Sequence, residues 1–321
     1  MKAQALWYTA AGRAELREEA VAMPGPDEVS VEALHGAVSR GTESLVFNGC
    51  VPSSEFDRMR APFMGGAFPF PVKYGYSTVG RIVDGGDRDS IVFTLFPHQS
   101  AFMLPAAACV PVPKDIPPSR AILAANMETA LNALWDGAPG PADRIAVVGA
   151  GVVGSLVAWL CGRLPGANVT LVDIDPSRAA LAAKLGVGFA GPSGAPQDCD
   201  VVFHTSGTGA GLATAINLAG DETKIVEMSW YGDGEIGLPL GGAFHSRRLT
   251  IISSQVGQVA PSHRPRWSYT RRLAAALDLL GDNRLDALIA PPIAFTDLPA
   301  QLPRILAPGS GVLCQRIDYY P

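Results

Sequence analysis

The chain has 321 residues, of which 48% are hydrophobic and 17% charged, a balance that supports a sizeable buried core and excludes a mainly disordered chain. Asp+Glu 30 against Lys+Arg 25 leaves a net charge of -5, the wrong sign for the phosphate neutralisation a nucleic-acid binder needs. The five cysteines, Cys50, Cys109, Cys161, Cys199 and Cys314, are scattered and never form C-x-x-C, so neither a disulfide framework nor a four-thiolate zinc site is read, and a reducing cytoplasm is expected. The apolar N-terminal stretch is broken by Arg13 and Glu15 and lacks the continuous apolar core of a signal peptide.

In chain order, β-rich runs at 2–8, 28–34, 78–84 and 91–95 are divided by the turn-forming stretches PGPD, NGCVP, GGAFPFP and DGGDRD, which predicts an all-β lobe. The pattern then changes to a helix over 119–137, with Ser119 as its N-cap and Gly137 as its stop. The uncharged run 145–162 just reaches membrane-spanning length. The glycines at 149, 151 and 154 and its β-branched start instead split it into a buried strand over 144–148, a glycine turn and a helix over 152–164, and no membrane segment is expected. Further strands at 169–173, 187–190, 201–204, 224–228 and 250–253 alternate with helices such as 177–185 and 211–219. Such alternation predicts an α/β fold with a doubly wound parallel sheet, the Rossmann arrangement. A helix over 269–281 and strand-like IAPPIAF and VLCQRIDYY close the chain and are placed back on the β lobe. The predicted domains are therefore 1–120 with 266–321, a discontinuous catalytic domain, and 121–265, a dinucleotide-binding domain.

The sharpest motif is G-A-G-V-V-G, with glycines at Gly149, Gly151 and Gly154, directly after a strand and opening a helix. Gly149 permits the tight turn, Gly151 lets the backbone approach a pyrophosphate, Gly154 allows close helix–strand packing, and the helix start at Val152 and Val153 supplies oriented N–H donors. Asp173 lies nineteen residues past Gly154 at the end of the second strand, where a carboxylate binds both ribose hydroxyls and repels a 2′-phosphate, so NAD is favoured over NADP. Ile174 beside it, and Arg178, are counted with the cofactor-binding residues, although Arg178 also reads as an exposed helix residue. Thr205, Ser206 and Gly207, after the fourth strand, either line the nicotinamide side or serve as turn residues.

A β-rich lobe, a central dinucleotide fold and a returning C-terminus resemble the medium-chain dehydrogenase/reductase superfamily, whose first lobe is a GroES-like β-barrel. Gly41-Thr42-Glu43 is similar to its G-[ST]-[DE], Gly75-Tyr76-Ser77 to its G-H-E, and Glu128-Thr129-Ala130-Leu131 to the helix at its third zinc ligand. The resemblance implies an oxidoreductase acting on a small molecule, a cofactor role for Thr129, and a homodimer formed through the edge strand near 250–253. It also shows departures: the positions of the family's three zinc ligands carry Arg40, Tyr76 and Ala125, which do not make the three-donor set zinc needs. No zinc is therefore expected. The S-R-G-T-E and P-V-K-Y-G-Y-S stretches look closest to the zinc-poor branch that includes bacteriochlorophyllide dehydrogenases.

Without zinc, another group must stabilise the oxygen of an alcohol or carbonyl. Tyr76 is the expected acid/base, with Lys73 and Arg40 lowering its pKa, and with Arg40 and Thr42 positioning the substrate oxygen. Each has a plainer reading: Tyr76 as a packed strand residue, and Arg40 as an ion-pair partner of Glu43 or Glu128. His98 either faces the cleft or caps a loop, and Glu128 needs a partner if buried. The arginine-rich segment from Ser262 to Arg272 binds an anionic group or forms a solvated helix start. The leading expectation is a zinc-independent NAD(H) oxidoreductase of an alcohol or carbonyl. The alternatives are a quinone or enoyl reductase of the same superfamily and a non-catalytic NAD-binding protein.

Overall fold

The computed structural model describes residues 2–320, which cluster into two compact units. The first runs to Ala125 and resumes at Leu273; the second is Asn126–Arg272. The divisions fall a few residues beyond 120/121 and 265/266. Arg120 belongs to the first unit, its guanidinium donating to both carboxylate oxygens of Asp286 at 2.7 and 2.8 Å. Arg272 belongs to the second, where it donates to Glu128 and Asn132.

The first unit is built on an antiparallel sheet and a larger mixed one. In the smaller, Lys2–Ala10 pairs with Arg13–Ala20 and with the short strand Val72–Lys73. Arg13–Ala20, RAELREEA, escapes the sequence reading because it is an edge strand with no fully buried residue, and charged side chains on such an edge discourage unwanted pairing. The larger sheet centres on Glu28–Val38, flanked by Thr78–Asp84 and Ala101–Pro105. The C-terminal strand Cys314–Asp318 pairs antiparallel with Glu28–Val38, setting Gln315 opposite Val38, and carries Ile289–Ala294 on its other side. The end of the chain thus completes the barrel that its beginning starts.

The expected helix over 119–137 is two helices, Pro118–Ala121 and Ala124–Gly137. Pro117 is the N-cap and Pro118 the first helical residue, so Ser119 lies inside the first turn and does not cap it.

The second unit is a six-stranded parallel sheet in the order Gly188–Ala190, Asn168–Val172, Arg144–Val148, Cys199–His204, Ala219–Glu227, Thr250–Ser253. In sequence order that is 3-2-1-4-5-6, the doubly wound arrangement, with its switch point between Arg144–Val148 and Cys199–His204. Val147, Leu171, Val202 and Phe203 are fully buried, as parallel strands covered on both faces require. Helices Val152–Cys161, Arg178–Leu185 and Gly209–Leu218 provide crossovers. Among the described residues, no helix is long and apolar enough to cross a membrane.

Candidate functional site

The glycine turn lies at the carboxyl end of Arg144–Val148 and opens the helix Val152–Cys161. Its three glycines are constrained by different neighbours. Gly149 has φ +110, and a Cβ there would approach the Ser206 amide nitrogen to 2.7 Å; a Cβ on Gly154 would overlap the Gly149 carbonyl oxygen. Gly151, at φ -73, has no protein atom within 4 Å of where its Cβ would stand. Nothing in the chain requires glycine there, whereas a pyrophosphate lying on the turn would. Val152 and Val153 begin the helix without a side-chain cap, leaving their amides directed out of its positive end.

Asp173 follows the second strand, and its Oδ2 accepts from the Ala150 amide at 2.6 Å while Oδ1 accepts from Asp175 N at 2.8 Å. A carboxylate has about four acceptor positions, so two remain for ribose hydroxyls. Ile174 is 87% exposed, an apolar surface beside that carboxylate. Arg178 lies 3.3 Å from Asp175, the side chain of a local ion pair. Thr205 turns inward, donating to Gly149 O at 2.9 Å, and so locks the turn instead of lining its outer face.

Beyond Thr205 is a network that the sequence reading did not assemble. His204 is fully buried, with Nδ1 2.7 Å from Glu227 Oε2 and Nε2 2.6 Å from Ser206 Oγ. The Ser229 amide donates to Glu227 Oε1, and Tyr231 Oη donates to Oε2. Burial alone would push the Glu227 carboxyl up; the hydrogen bonds it accepts from His204 and from Ser229 bring it below its usual value. Gly207 takes φ +68 and gives its amide to Ser229 Oγ at 3.1 Å.

In the first unit, the residues matched to the zinc-site motifs converge around a fully buried Glu43. Glu43 Oε1 accepts from Ser39 N, and Oε2 accepts from Tyr8 Oη at 2.7 Å and faces His98 Nε2 at 3.0 Å. Tyr76 Oη donates to Ser39 Oγ at 2.6 Å. Burial pushes the Tyr76 phenol up to about 12, against the pull of the adjacent Ser39 and Thr42 hydroxyls. The chain thus brings Tyr76, Thr42, Ser39 and Glu43 together on the start of helix Arg40–Asn48 and the segment before Thr78–Asp84.

Several expectations change here. His98 does not face a cleft: it is fully buried and clamped by Gly75, whose Cβ would meet the ring at 2.7 Å, and its Nδ1 has no hydrogen-bond partner. Lys73 does not act on Tyr76, because its ammonium is held by Glu19 at 2.6 Å and Gln99 at 2.7 Å. Arg40 gives Nε, Nη1 and Nη2 to the carbonyls of Ile305, Val312 and Ala307. It fastens the C-terminal loop and is not a group held ready for a substrate oxygen. Glu128 pairs with Arg272 at 3.0 Å, both buried, and burial still raises the Glu128 carboxyl against that positive charge. Arg272 is therefore no part of a solvated helix start. Thr129 lies partly buried on Ala124–Gly137.

Several solved structures match along nearly its whole length. L-idonate 5-dehydrogenase from Escherichia coli K-12 superposes with TM-score 0.80 at 14% identity, covering 99% of both chains. An alcohol dehydrogenase from E. coli CFT073, solved with NADH, gives 0.78 at 15%, again over 99% of both chains. A candidate zinc-binding dehydrogenase from Sinorhizobium meliloti 1021, bound to NADP, gives 0.78 at 17% over 99% of both. The chain has the alcohol dehydrogenase-like medium-chain fold, a GroES-like barrel with a Rossmann domain. By sequence, it is 28% identical over 141 residues to YphC of E. coli K-12, an uncharacterized zinc-type alcohol dehydrogenase-like protein. That match spans 40% of the length of each chain. No protein-family profile matches the chain.

The donor set does not fit the zinc that this fold family implies. Of the three matched positions, Arg40 presents a guanidinium engaged with carbonyls, Tyr76 a phenol whose burial opposes ionisation, and Ala125 no donor at all. Zinc needs three N, S or O donors able to face one point, and among the described residues no three His, Cys, Asp or Glu side chains do so.

Proposed function

We propose that this chain is a zinc-independent NAD(H) oxidoreductase that transfers a hydride between nicotinamide and an alcohol or carbonyl carbon of a small molecule. Gly151 carries the reading: at the switch point of a parallel sheet, beside the acidic residue that follows the second strand, it leaves open space where a pyrophosphate would approach the backbone. The residues fit a dinucleotide. The amides of Val152 and Val153 would hold its pyrophosphate, Asp173 would accept from its ribose hydroxyls, and Ile174 would offer an apolar surface to its adenine. The bound cofactor supplies or accepts the hydride; proton handling falls to the chain.

Tyr76 is the acid. With its phenol held at about 12 by burial, it stays protonated at neutral pH and donates to the oxygen that gains charge during reduction. For that transfer the phenol proton turns from Ser39 to the substrate oxygen, and the Ser39 hydroxyl, with Thr42 beside it, then donates to the phenolate. Glu43 holds Ser39 through its backbone amide, and Tyr8 and His98 hold Glu43. The positioning role expected of Arg40 passes to Ser39, whose hydroxyl the phenol contacts directly. His98 is a supporting residue behind Glu43, and Glu128 braces Arg272.

Asp173 supports NAD over NADP, since its carboxylate opposes a 2′-phosphate and Arg178 is already paired with Asp175. The motif likeness to bacteriochlorophyllide dehydrogenases supports placing the chain in a zinc-poor branch without fixing its substrate. The edge position of Thr250–Ser253 in its sheet supports a homodimer, and five free cysteines support a cytoplasmic setting.

Equilibrium binding tests the cofactor reading. NADH should bind at least about tenfold tighter than NADPH, a difference of about 1.4 kcal/mol, and Asp173→Ala should remove the preference. Tighter binding of NADPH by the native chain would overturn NAD specificity.

A further inference from the structure

The network behind Ser206 has a direction, and resting on the dinucleotide reading above, it indicates how the second half of the cofactor is recognised. Asp173 lies on one side of the glycine turn, beyond Asn168–Val172; His204 and Glu227 end the strands on the other side and are register partners. A dinucleotide with its adenosine at Asp173 and its pyrophosphate on the turn extends its other nucleotide over those strand ends.

The hydrogen-bond roles follow from the acceptor-only end of the chain. The Glu227 carboxylate, held below its usual value, can only accept. It therefore accepts a hydrogen bond from His204 Nδ1, and in that tautomer Nε2 accepts from the Ser206 hydroxyl across 2.6 Å. One Ser206 lone pair faces Thr208 Oγ1 at 3.0 Å, and Thr208 Oγ1 itself accepts from the Gly211 amide, so its hydroxyl proton is the one free to point at Ser206. The other lone pair of the half-buried Ser206 is left for an outside donor. The remaining polar neighbours of His204 and Glu227 are Ser229 and Tyr231. The trio also has the order of an acyl-transfer triad, yet the nearby Gly207 amide that would stabilise an oxyanion is taken by Ser229, and Gly211 packs closely under the Ser206 oxygen.

We infer that Glu227, His204 and Ser206 form a polarised chain that presents the Ser206 oxygen as an acceptor for a carboxamide N–H, making it a specificity residue for the nicotinamide amide. The amide is sensed by hydrogen-bond polarity and not by shape.

A cofactor analogue with a methyl ketone in place of the amide isolates this effect, because it keeps the carbonyl and loses the N–H. Calorimetric affinities would be compared for NADH, reduced 3-acetylpyridine adenine dinucleotide and ADP-ribose, using the native chain, Ser206→Ala and His204→Gln. The native chain should prefer NADH over the analogue by about tenfold, the worth of one hydrogen bond. Both variants should reduce that preference to less than about twofold while binding ADP-ribose as the native chain does. An unchanged preference in Ser206→Ala with ADP-ribose binding intact would overturn the inference alone. A native chain that binds no ADP-ribose would remove the dinucleotide reading and the inference with it.

Discussion

Gly151 and Gly154 lie on one turn, yet opposite sides of the protein surface constrain them. At Gly154 a side chain would collide with the Gly149 carbonyl of the same turn, whereas at Gly151 it would meet no protein atom, and φ -73 suits any residue. Gly154→Ala should therefore lower stability by roughly 1–3 kcal/mol, as overpacking does, measured by urea unfolding. Gly151→Ala should unfold as the native chain does and lose NADH affinity; equal affinity in that variant would mean that no ligand approaches the turn. Tyr76 gives the matching test in the other unit. Tyr76→Phe should cut kcat by about 10²–10⁴, the usual range for losing a general acid, with NADH affinity unchanged. Because burial sets its phenol at about 12, the reduction rate should stay level through pH 10, where an ordinary tyrosine ionises, and a fall near pH 10 would reassign the acid.

At the scale of elements, the parallel strands were legible because burial on both faces leaves short apolar runs between helices, and the G-x-G-x-x-G turn marks where the first strand ends. Arg13–Ala20 was not legible, since an edge strand of charged residues carries no apolar alternation. The break between Pro118–Ala121 and Ala124–Gly137 was hidden too, because Ile122 and Leu123 suit a helix and only the fold interrupts it there. Of the candidate site, the glycines, Asp173 and Tyr76 were readable from motif spacing. His204 with Glu227, and Glu128 with Arg272, were not: each pair is distant in sequence and meets only once strands are registered or helices packed. The second pair carries a prediction. Arg272 donates to Glu128, Asn132 and the carbonyls of Val256 and Gln258, fastening the loop before helix Tyr269–Asp278 to helix Ala124–Gly137. Arg272→Met leaves a buried carboxyl and two buried carbonyls without that donor, and should cost about 3–5 kcal/mol. Adding Glu128→Leu should restore part of the loss, since removing both charges avoids stranding one. A double variant no more stable than Arg272→Met alone would show that the carbonyl bonds, not the ion pair, hold the loop.

At the scale of the whole molecule, the fold and the chemistry of its first unit point in different directions, and metal content can separate them. Three similar solved structures share the architecture over nearly their full length, and two of the proteins to which the chain is similar are described as zinc-type or zinc-binding. Fold alone does not fix chemistry, which depends on the groups at the site. Here the three positions that would meet a zinc ion hold a guanidinium engaged with carbonyls, a phenol that burial keeps protonated and a methyl group. The same region has a buried carboxyl, Glu43, accepting from Tyr8 and from the backbone that carries Ser39, and Tyr76 donates to the Ser39 hydroxyl. A metal-held site of this kind loses activity when a chelator strips the ion, whereas a hydrogen-bonded one is indifferent. Purified chain should contain fewer than about one zinc per ten molecules by elemental mass spectrometry, the level of adventitious binding for a site lacking three donors. Dialysis against a strong chelator should leave both its melting temperature and its NADH-dependent turnover unchanged. Stoichiometric zinc, with turnover lost on chelation and restored by added zinc, would return the metal to the mechanism and reduce Tyr76 to a packing residue.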